Sequence, residues 1–493
     1  NLDGLNIGQF ARIVRRIADS TGRSGRFQSA ASLLAKHLSG RLSSAGWVTA
    51  TAPPSSPWFG PRDMMAGRIH GALESGFLDI PGLADRKVGP LKASMTADLR
   101  TESWPLRTEL TTTSAGERSA IVGTDEATIP FDLRVSSAVP VVGQRDRTVE
   151  LQVSTPKTAC DRGFEAIPDA LWGGYQYARL TGSAAPTVDV DYTFGEPESF
   201  GIDVAGWPGS CRVASLAAQR SVWPPVQIRA DDGSFRQPGA DLLSGAKWLT
   251  RPFALQVTEG VSEGADVVVG PGTNQYVGID GLPESVPAAA YLSEEVAFWR
   301  DGVVNLHLLE RAMRMNLSER RFVYGGSTIT QQLVKNLFLS RDKTLSRKLR
   351  EALIGWRVLD VIPKQRVMAL YLSCMEFGPD IYVIQAAARH YFQRPASELT
   401  LKQAVFLAII KPAPWYGERF RQRGETPSKH WWRERMGEIM ARLVIHEIIA
   451  KETALEARPF KLRWDEGGNW VEIPHTDSDE PTFHSTLADA END

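Results

Sequence analysis

The sequence contains no long hydrophobic run, little cysteine and little net charge, and each absence narrows what the protein can be. No window reaches the roughly 18 apolar residues that a helix needs to cross a bilayer. The 56 basic and 58 acidic residues leave a formal net charge of -2, which gives no global reason to expect nucleic-acid binding. Because the chain begins with Asn1 rather than Met, we expect any signal or membrane anchor to lie outside this sequence.

Cysteine occurs only three times in 493 residues. Cys160 and Cys211 bracket a segment of the first half, whereas Cys374 lies in an apolar helical pattern of the second. In an oxidising compartment the first two could form a disulfide. Equally, all three could be buried thiols, since free cysteine is among the residue types most often found in protein cores.

The length and the spacing of apolar residues predict a multidomain α+β protein. A chain of 493 residues is too long for one ordinary core, so two or three domains are expected. We predict a helical N-terminal segment at 1–50 and a β-rich region at 51–285. An all-α domain follows at 286–460 and a polar C-terminal tail at 461–493, which is expected to be mobile from Asp477.

Strands are predicted in the β-rich region because apolar and polar residues alternate there. The period of two is clearest at 131–135, 149–153 and 188–192. The only histidines before residue 307 are His37 and His70, and an isolated histidine is more often packed or solvated than a ligand. This region therefore shows no catalytic cluster.

After Pro283 the apolar residues recur with a period near 3.6, which predicts almost continuous helix. Pro363 separates two of these helices and Pro412 ends another, because proline interrupts the helical hydrogen bonds. The predicted helices span 304–317, 328–339, 345–362, 364–376, 382–392 and 400–410, with a longer helical pattern at 425–457.

The most informative segment is 325–336, which reads GGSTITQQLVKN, followed by RKLRE at 347–351. Two glycines open a turn and hydroxyl residues can cap a helix, and such helix starts present unpaired N–H groups that suit phosphates. Between 311 and 366 there are thirteen Lys or Arg residues and four acidic ones. A phosphate site beside a carboxylate is one interpretation, and a solvated basic helix face is the other.

Five motifs of the helical half occur in the order found in a known family. The segment 294–298 (EEVAF) is followed by 325–336 and 347–351, and then by 364–372 and 387–392. With these motifs the chain resembles the family 51 glycosyltransferases over 286–416. That family comprises the peptidoglycan polymerase domain of class A penicillin-binding proteins and the monofunctional transglycosylases.

The resemblance implies a lysozyme-like domain that polymerises lipid II into β-1,4 glycan strands, with inversion and release of polyprenyl pyrophosphate. A sugar hydroxyl is a poor nucleophile, so a carboxylate must take its proton, and by motif position that base is Glu294. The leaving pyrophosphate needs cations rather than a proton. In the resemblance, Glu351 helps to hold the donor pyrophosphate.

The resemblance also assigns polar and cationic side chains to the substrate and its pyrophosphate. They are Arg311, Ser327, Thr328, Gln331, Gln332, Lys335, Lys343, Arg347, Lys348 and Arg350. A divalent cation, Mg²⁺ or Mn²⁺, is a candidate cofactor because it suits carboxylate and phosphate oxygens. Glu351 is its candidate ligand, although no dedicated cage is visible.

The implied partners are lipid II, the growing glycan chain, and transpeptidases or other cell-wall synthesis proteins. The membrane surface is another, because 303–317 corresponds to the part of the family domain that rests on it; the same pattern could equally be core. The implied location is the cell envelope, at the outer, periplasmic face of the cytoplasmic membrane. The residues after 416 are too few for a transpeptidase domain, so a monofunctional polymerase is expected.

Each site residue also has a structural alternative. Glu294 could cap a helix that begins near Glu295, where an acid favours the helix dipole. Glu351 could form an ordinary i,i+4 pair with Arg347. The hydroxyls of 327–328 could be N-cap groups.

The first motif departs from the family pattern, because Asp301 stands where histidine is usual and Gly302 comes one residue early. Two alternatives to the polymerase therefore stay open: a non-catalytic scaffold that binds the lipid carrier, and a lysozyme-like lytic enzyme. The phrases at 167–171 and 180–182 faintly resemble AsmA-like domains, which implies at most a lipid-facing or scaffolding β-structure.

Overall fold

The computed structural model describes residues 5–6, 38–51, 64–103, 106–112, 120–139, 147–217, 226–229, 235–236, 252–256, 266–340, 342–427, 429–476 and 481–490. The chain divides into two compact units. Unit 1 comprises Asn1–Val222, Asn305–Gly326 and Asp342–Leu353. Unit 2 comprises Trp223–Val304, Ser327–Arg341 and Ile354–Asp493. Two short stretches of the helical half therefore belong to the same unit as the β-rich region.

Unit 1 is built on a large antiparallel sheet. Its strands and the short ones beside it are β1 (Leu5–Asn6), β2 (Leu38–Thr51), β3 (Met64–Leu78), β4 (Val88–Ser103), β5 (Leu106–Thr112), β6 (Ala120–Gly123), β7 (Thr128–Pro130), β8 (Asp132–Val139), β9 (Thr148–Ser154), β10 (Thr158–Ala159), β11 (Arg179–Thr181), β12 (Ser183–Ala184), β13 (Thr187–Thr193), β14 (Gly201–Ala205) and β15 (Arg212–Ser215). The order across the sheet is β1-β2-β3-β4-β5-β8-β9-β13-β14, and β6 pairs with β4 and β7.

The three strands predicted from alternating residues are confirmed as β8, β9 and β13. Leu151 of β9 lies opposite Val135 of β8 on one side and Val190 of β13 on the other. Apolar residues thus face apolar residues across neighbouring strands, which is the pairing that stabilises a half-buried sheet.

The prediction of helix at 1–50 is wrong for residues 38–50, which belong to strand β2. This strand pairs with β3 from Leu38 to Thr51. Its glycines and its β-branched Val48 and Thr49 weaken a helix, and long-range pairing decides the conformation. The rest of that prediction, apart from Leu5–Asn6, lies outside the described residues.

The helices of the described chain are α1 (Cys160–Glu165), α2 (Asp169–Trp172), α3 (Ser285–Glu294), α4 (Leu306–Glu319), α5 (Ile329–Phe338), α6 (Leu345–Val361), α7 (Lys364–Cys374), α8 (Ile384–Phe392), α9 (Leu401–Ile410), α10 (Trp415–Arg423), α11 (His430–Ile445), α12 (Lys451–Glu456) and α13 (Pro481–Ala490). The six helices predicted between residues 304 and 410 are confirmed to within a few residues at their ends. The helical pattern predicted at 425–457 forms two helices, α11 and α12, and α10 was not predicted. None of the described helices is long and apolar enough to cross a membrane.

A disulfide joins Cys160, at the start of α1, to Cys211, just before β15. The first alternative for the cysteines is therefore confirmed, and Cys374 is the buried free thiol among the described residues. Inside this region the rings of Phe164 and Trp172 stack at 4.2 Å between centroids. We call residues 158–184 and 208–215 the disulfide platform.

Unit 2 has a helical core. Helices α3, α9 and α11 pack on one another, and α5 packs on α7. Leu292, Phe406 and Ile439 contribute fully buried side chains to the first group. Unit 2 also contains a four-stranded sheet and two hairpins: β16 (Val226–Arg229), β17 (Phe235–Arg236), β18 (Phe253–Gln256), β19 (Asp266–Val269), β20 (Glu376–Gly378), β21 (Ile381–Tyr382), β22 (Arg463–Trp464) and β23 (Trp470–Val471).

The prediction that the polar C-terminus is mobile from Asp477 is wrong where α13 forms. Phe483 of this helix is fully buried, with its ring 5.8 Å from that of Phe460. Gly437 of α11 leaves room for this contact, because an added Cβ would lie 3.2 Å from the Phe483 backbone nitrogen. Two buried apolar side chains, Phe483 and Leu487, hold a segment whose composition is otherwise polar.

Candidate active site

Glu294 is the last residue of α3, so the alternative that it caps a helix beginning near Glu295 is wrong. Helix α3 is buried from Val286 to Leu292, and Glu295 leaves the helical conformation with φ -149°. The Glu294 side chain retains 19% exposure at the end of this apolar helix. The end of this buried helix therefore places the Glu294 carboxylate where solvent can reach it.

Two groups hold the Glu294 carboxylate. Gln332 Nε2 of α5 donates a hydrogen bond to Glu294 Oε2 at 3.0 Å, and Lys411 Nζ lies 3.8 Å from Oε1. The same Gln332 accepts a hydrogen bond from the Tyr371 hydroxyl at 3.2 Å. The amide can therefore present its NH₂ group to Glu294 while its oxygen is satisfied by Tyr371.

Lys411 was missed by sequence reasoning and is a buried cation beside the candidate base. It follows the end of α9, its side chain is 1% exposed, and Nζ donates to the Ala290 carbonyl at 3.1 Å. Burial lowers the pKa of Lys411 to about 8, against the opposing effect of Glu294. The sequence signal that could have identified Lys411 is a lysine at the end of an apolar helical pattern, immediately before Pro412.

The start of α5 confirms the N-cap alternative for Thr328. Its Oγ1 accepts from the Gln331 backbone N–H at 3.2 Å, and Gln331 Oε1 accepts from the Thr328 N–H at 3.1 Å, which completes a capping box. Thr328 Oγ1 also donates to the Val303 carbonyl at 2.7 Å. Thr328 and Gln331 thus have internal roles, whereas Gln332 points to Glu294.

The expectation that this helix start offers unpaired N–H groups to a phosphate is wrong for Ile329 and Gln331. The Ile329 N–H donates to the buried Glu295 carboxylate at 2.7 Å, and the Gln331 N–H is used by the cap. An acidic side chain at a helix start interacts favourably with the positive end of the helix dipole. Here Glu295 takes the position that an anionic ligand could otherwise occupy. The N–H groups of Ile329 and Gln331 are therefore not available to an anion.

Glu295 is 1% exposed, and burial raises its pKa to about 7. The hydrogen bond from Ile329 and the charge of Lys364 oppose this rise, while Asp301 adds to it. Lys364 Nζ donates to the carbonyls of Phe298 and Asp301. Lys364, which belongs to the fourth motif (364–372), therefore holds the segment 298–301, where the sequence departs from the family pattern.

A second group of predicted residues lies in the first turns of α6, within unit 1. Arg347 Nη1 donates to Glu351 Oε1, and Lys348 Nζ donates to Oε2 at 2.7 Å. The i,i+4 pair is thus present, and Glu351 is only 1% exposed. Lys348 keeps 42% exposure and is the member of this group most open to a ligand.

The remaining predicted residues differ in accessibility. Arg311 and Lys343 are exposed, and Ser327 and Lys335 are half-buried. Arg350 is buried, 6% exposed, with its guanidinium against Gly173 of the disulfide platform. We therefore assign Arg350 no direct contact with phosphate.

The residues present do not form a dedicated metal site. No group of three or more His, Cys, Asp or Glu residues in the described part of the chain could hold an ion. Both oxygens of Glu351 already accept hydrogen bonds from Arg347 and Lys348, and the positive charges of these two side chains oppose binding of a metal ion there. We derive no catalytic step through a metal.

Comparison with known proteins agrees with the motifs. Residues 266–444 match the family described as Transglycosylase. The chain is 38% identical over 189 residues to the biosynthetic peptidoglycan transglycosylase of Burkholderia lata, covering 37% of this chain and 70% of that protein. The chain belongs to the transglycosylase family.

Two further relatives are similar over a shorter part of their length. The chain is 40% identical over 141 residues to the biosynthetic peptidoglycan transglycosylase of Nitrosomonas europaea, covering 29% of this chain and 58% of that protein. It is 42% identical over 139 residues to penicillin-binding protein 1A of Aquifex aeolicus, covering 28% of this chain and 19% of that protein. The chain therefore spans less than two thirds of these two relatives.

Proposed function

We propose that this transglycosylase-family chain is a peptidoglycan glycosyltransferase that polymerises lipid II. The observation that carries the proposal is the carboxylate of Glu294, which projects from the end of α3 and is held by Gln332 and Lys411. The family match and the names of its relatives support the same reaction.

In the proposed reaction Glu294 acts as the general base. Its carboxylate takes the proton of the acceptor sugar's 4-hydroxyl while that oxygen bonds to the anomeric carbon of the donor. The bond from the anomeric carbon to the pyrophosphate oxygen breaks, and the pyrophosphate leaves with the electron pair. The Gln332 hydrogen bond at 3.0 Å fixes the direction of the carboxylate, which favours one attack geometry.

The leaving pyrophosphate requires positive charge, and the α6 cations supply it in this proposal. Lys348 is the more accessible partner of Glu351, and Lys343 and Arg311 are exposed on the same unit. Glu351 acts by holding Arg347 and Lys348 in place. If a divalent cation takes part, phosphate oxygens rather than Glu351 would have to provide most of its ligands.

We further propose that the protein works in the cell envelope, at the periplasmic face of the cytoplasmic membrane, because lipid II is a membrane-bound substrate. The growing glycan is then its product and second substrate, and other cell-wall synthesis proteins are candidate partners. The disulfide between Cys160 and Cys211 supports an oxidising compartment.

Incubation of the purified chain with lipid II, followed by separation of the glycan products, tests this function. Polymer formed by the unchanged chain and abolished by Glu294→Gln supports the proposal. Cleavage of finished glycan strands would instead show a lytic enzyme. Binding of lipid II without turnover, unchanged by Glu294→Gln, would show a non-catalytic scaffold.

A further inference from the structure

The start of α6 is anchored to the N-terminal β-rich region of unit 1. The N–H of Leu345 donates to the Gly82 carbonyl at 2.8 Å, and the N–H of Ser346 donates to the Leu83 carbonyl at 2.9 Å. The third N–H, of Arg347, donates to Thr344 Oγ1 at 3.2 Å. The first-turn donors that a helix start leaves unpaired are therefore used here. This turn can contact an anion only through its side chains.

The disulfide platform also contacts α6 through a buried hydroxyl. Ser346 is 1% exposed, and its Oγ donates to the carbonyl of Leu171 in α2 at 2.7 Å. Rotation of α6 about its axis would break this hydrogen bond and leave a buried hydroxyl unpaired, which is costly. The bond therefore fixes the rotation of the helix.

Arg350, one turn further along the same face of α6, lies against Gly173. An added Cβ on Gly173 would be 3.0 Å from the guanidinium carbon of Arg350, and φ at Gly173 is +55°. Arg350 Nε lies 3.4 Å from the Ser346 carbonyl, and Nη2 lies 4.0 Å from Asp85. Glycine at 173 allows this close approach. A side chain there would be strained by the positive φ and would require Arg350 to shift by a few tenths of an ångström.

Buried contacts within the disulfide platform connect Gly173 to the disulfide. Gly173 ends α2, and Trp172 beside it is 5% exposed. Trp172 Nε1 donates to the Phe164 carbonyl at 3.3 Å, and Phe164 belongs to α1, which begins at the disulfide-bonded Cys160. A continuous set of buried contacts therefore leads from the disulfide to Arg350.

Residues 346 and 350 share one face of α6, and the cations lie on the neighbouring face. Because residues three and four apart are neighbours on a helix, a rotation that moves Ser346 also moves Arg347, Lys348 and Glu351. We propose that the disulfide platform, through Ser346 and Arg350 as positioning residues, sets the direction in which Arg347 and Lys348 meet a pyrophosphate. The identity of the reaction rests on the proposed function, whereas the positioning does not.

Gly173→Ala tests the proposal, with two controls: Gly163→Ala for an added methyl in the same platform, and Gly195→Ala, at φ +98° with nothing within 4 Å, for the strain of a positive φ. Gly163 lies in α1 of the same platform, and an added Cβ there meets nothing within 4 Å. In lipid II polymerisation we expect Gly173→Ala to raise KM about 3- to 30-fold with kcat changed less than about 2-fold, because a displaced binding group weakens positioning. Both control variants should match the unchanged chain.

A double-mutant cycle separates positioning from general loss of structure. In an Arg350→Ala background the added methyl at 173 has no guanidinium to displace, so its effect on KM should disappear. The same KM change in both backgrounds, or none in either, would overturn the proposal. Should Gly173→Ala reduce the folded fraction in thermal unfolding, Ser346→Ala gives the same test, and an unchanged KM there would overturn it.

A soluble probe keeps this test independent of the reaction. Binding of farnesyl pyrophosphate to the purified chain is measured by calorimetry for the same variants. If the unchanged chain makes no polymer, the proposed function fails, yet a farnesyl pyrophosphate Kd raised by Gly173→Ala and not by Gly163→Ala still supports positioning. Binding that is equal in all variants, or absent from the unchanged chain, contradicts it.

Discussion

The side chain of Gln332 joins the candidate base Glu294 to a buried tyrosine. Its amide nitrogen donates to Glu294 at 3.0 Å, and its amide oxygen accepts from Tyr371 at 3.2 Å. Tyr371 is fully buried, and both burial and the nearby Glu294 raise its pKa well above the ordinary value. The tyrosine therefore remains a hydrogen-bond donor, which keeps the amide in one orientation.

Replacing Gln332 by alanine should slow polymerisation without unfolding the chain. The carboxylate of Glu294 would lose its orienting donor but remain present. We therefore expect kcat to fall about 10- to 100-fold, less than the roughly 10²- to 10⁴-fold that a positioned acid–base group itself contributes. Gln422→Ala, at an exposed amide on α10, is the matched control. Steady-state kinetics with lipid II measure kcat for both variants. Equal kcat values would contradict the role of Gln332.

The buried Lys411 predicts an alkaline limit to activity. Its pKa is lowered to about 8 by burial, so above that pH the side chain becomes neutral and no longer balances Glu294. We expect kcat/KM to fall as pH rises through about 8. Lys411→Arg should move this limb to higher pH, because arginine stays protonated. A pH–rate profile with the same alkaline limb in both proteins would count against Lys411.

Glu295 predicts a pH dependence of stability with a defined sign. Its folded pKa of about 7 lies above the ordinary value of 4.5. The folded state therefore binds more protons in this interval, and the contribution of Glu295 to stability is lost as pH rises from about 4.5 to 7. The shift corresponds to at most about 3 kcal/mol.

Glu295→Gln should remove that dependence, since the amide oxygen can still accept from Ile329 but does not ionise. Denaturant unfolding at pH 5 and pH 8 measures it. Relative to the unchanged chain, the variant should gain stability at pH 8 and not at pH 5. A stability difference of the same size at both pH values would show that the buried carboxyl does not titrate in this range.

Phe483 predicts that the C-terminal helix stabilises unit 2. The side chain is fully buried against Phe460 and Gly437. Phe483→Ala should lower the free energy of unfolding by about 3 kcal/mol, which is the usual cost of removing a buried aromatic ring. Ser485→Ala, at an exposed position of the same helix, is the control. Equal melting temperatures for the two variants would mean that α13 does not contribute.

Much of the fold could be predicted from the sequence, because local patterns determine it in most of unit 2. Helices α5, α7 and α9 have apolar residues at helical spacing and clear terminal signals at Thr328, Pro363 and Thr400. Strand β2 could not be predicted, since its conformation is decided by pairing with β3. The order of α13 depends on Phe483, one aromatic residue in a polar segment.

The residues of the candidate site could be predicted from the sequence, but the side chains that contact them could not. Motif order identifies Glu294, Gln332 and Glu351. No local pattern places Lys411 at 3.8 Å from Glu294, because the two residues are brought together by the packing of α9 on α3. The burial of Arg350 against Gly173 is likewise a long-range contact, and it changes that arginine from an expected ligand into a positioning residue.

The base role of Glu294 is the central claim, and the rate of lipid II polymerisation by Glu294→Gln tests it most directly. The amide is isosteric and can keep the contact with Gln332 but cannot take a proton. We expect a fall in rate of at least about 100-fold with farnesyl pyrophosphate binding retained. Glu456→Gln, at an exposed position of α12, should retain the full rate. A Glu294→Gln chain that polymerises lipid II at the rate of the unchanged chain would contradict the account.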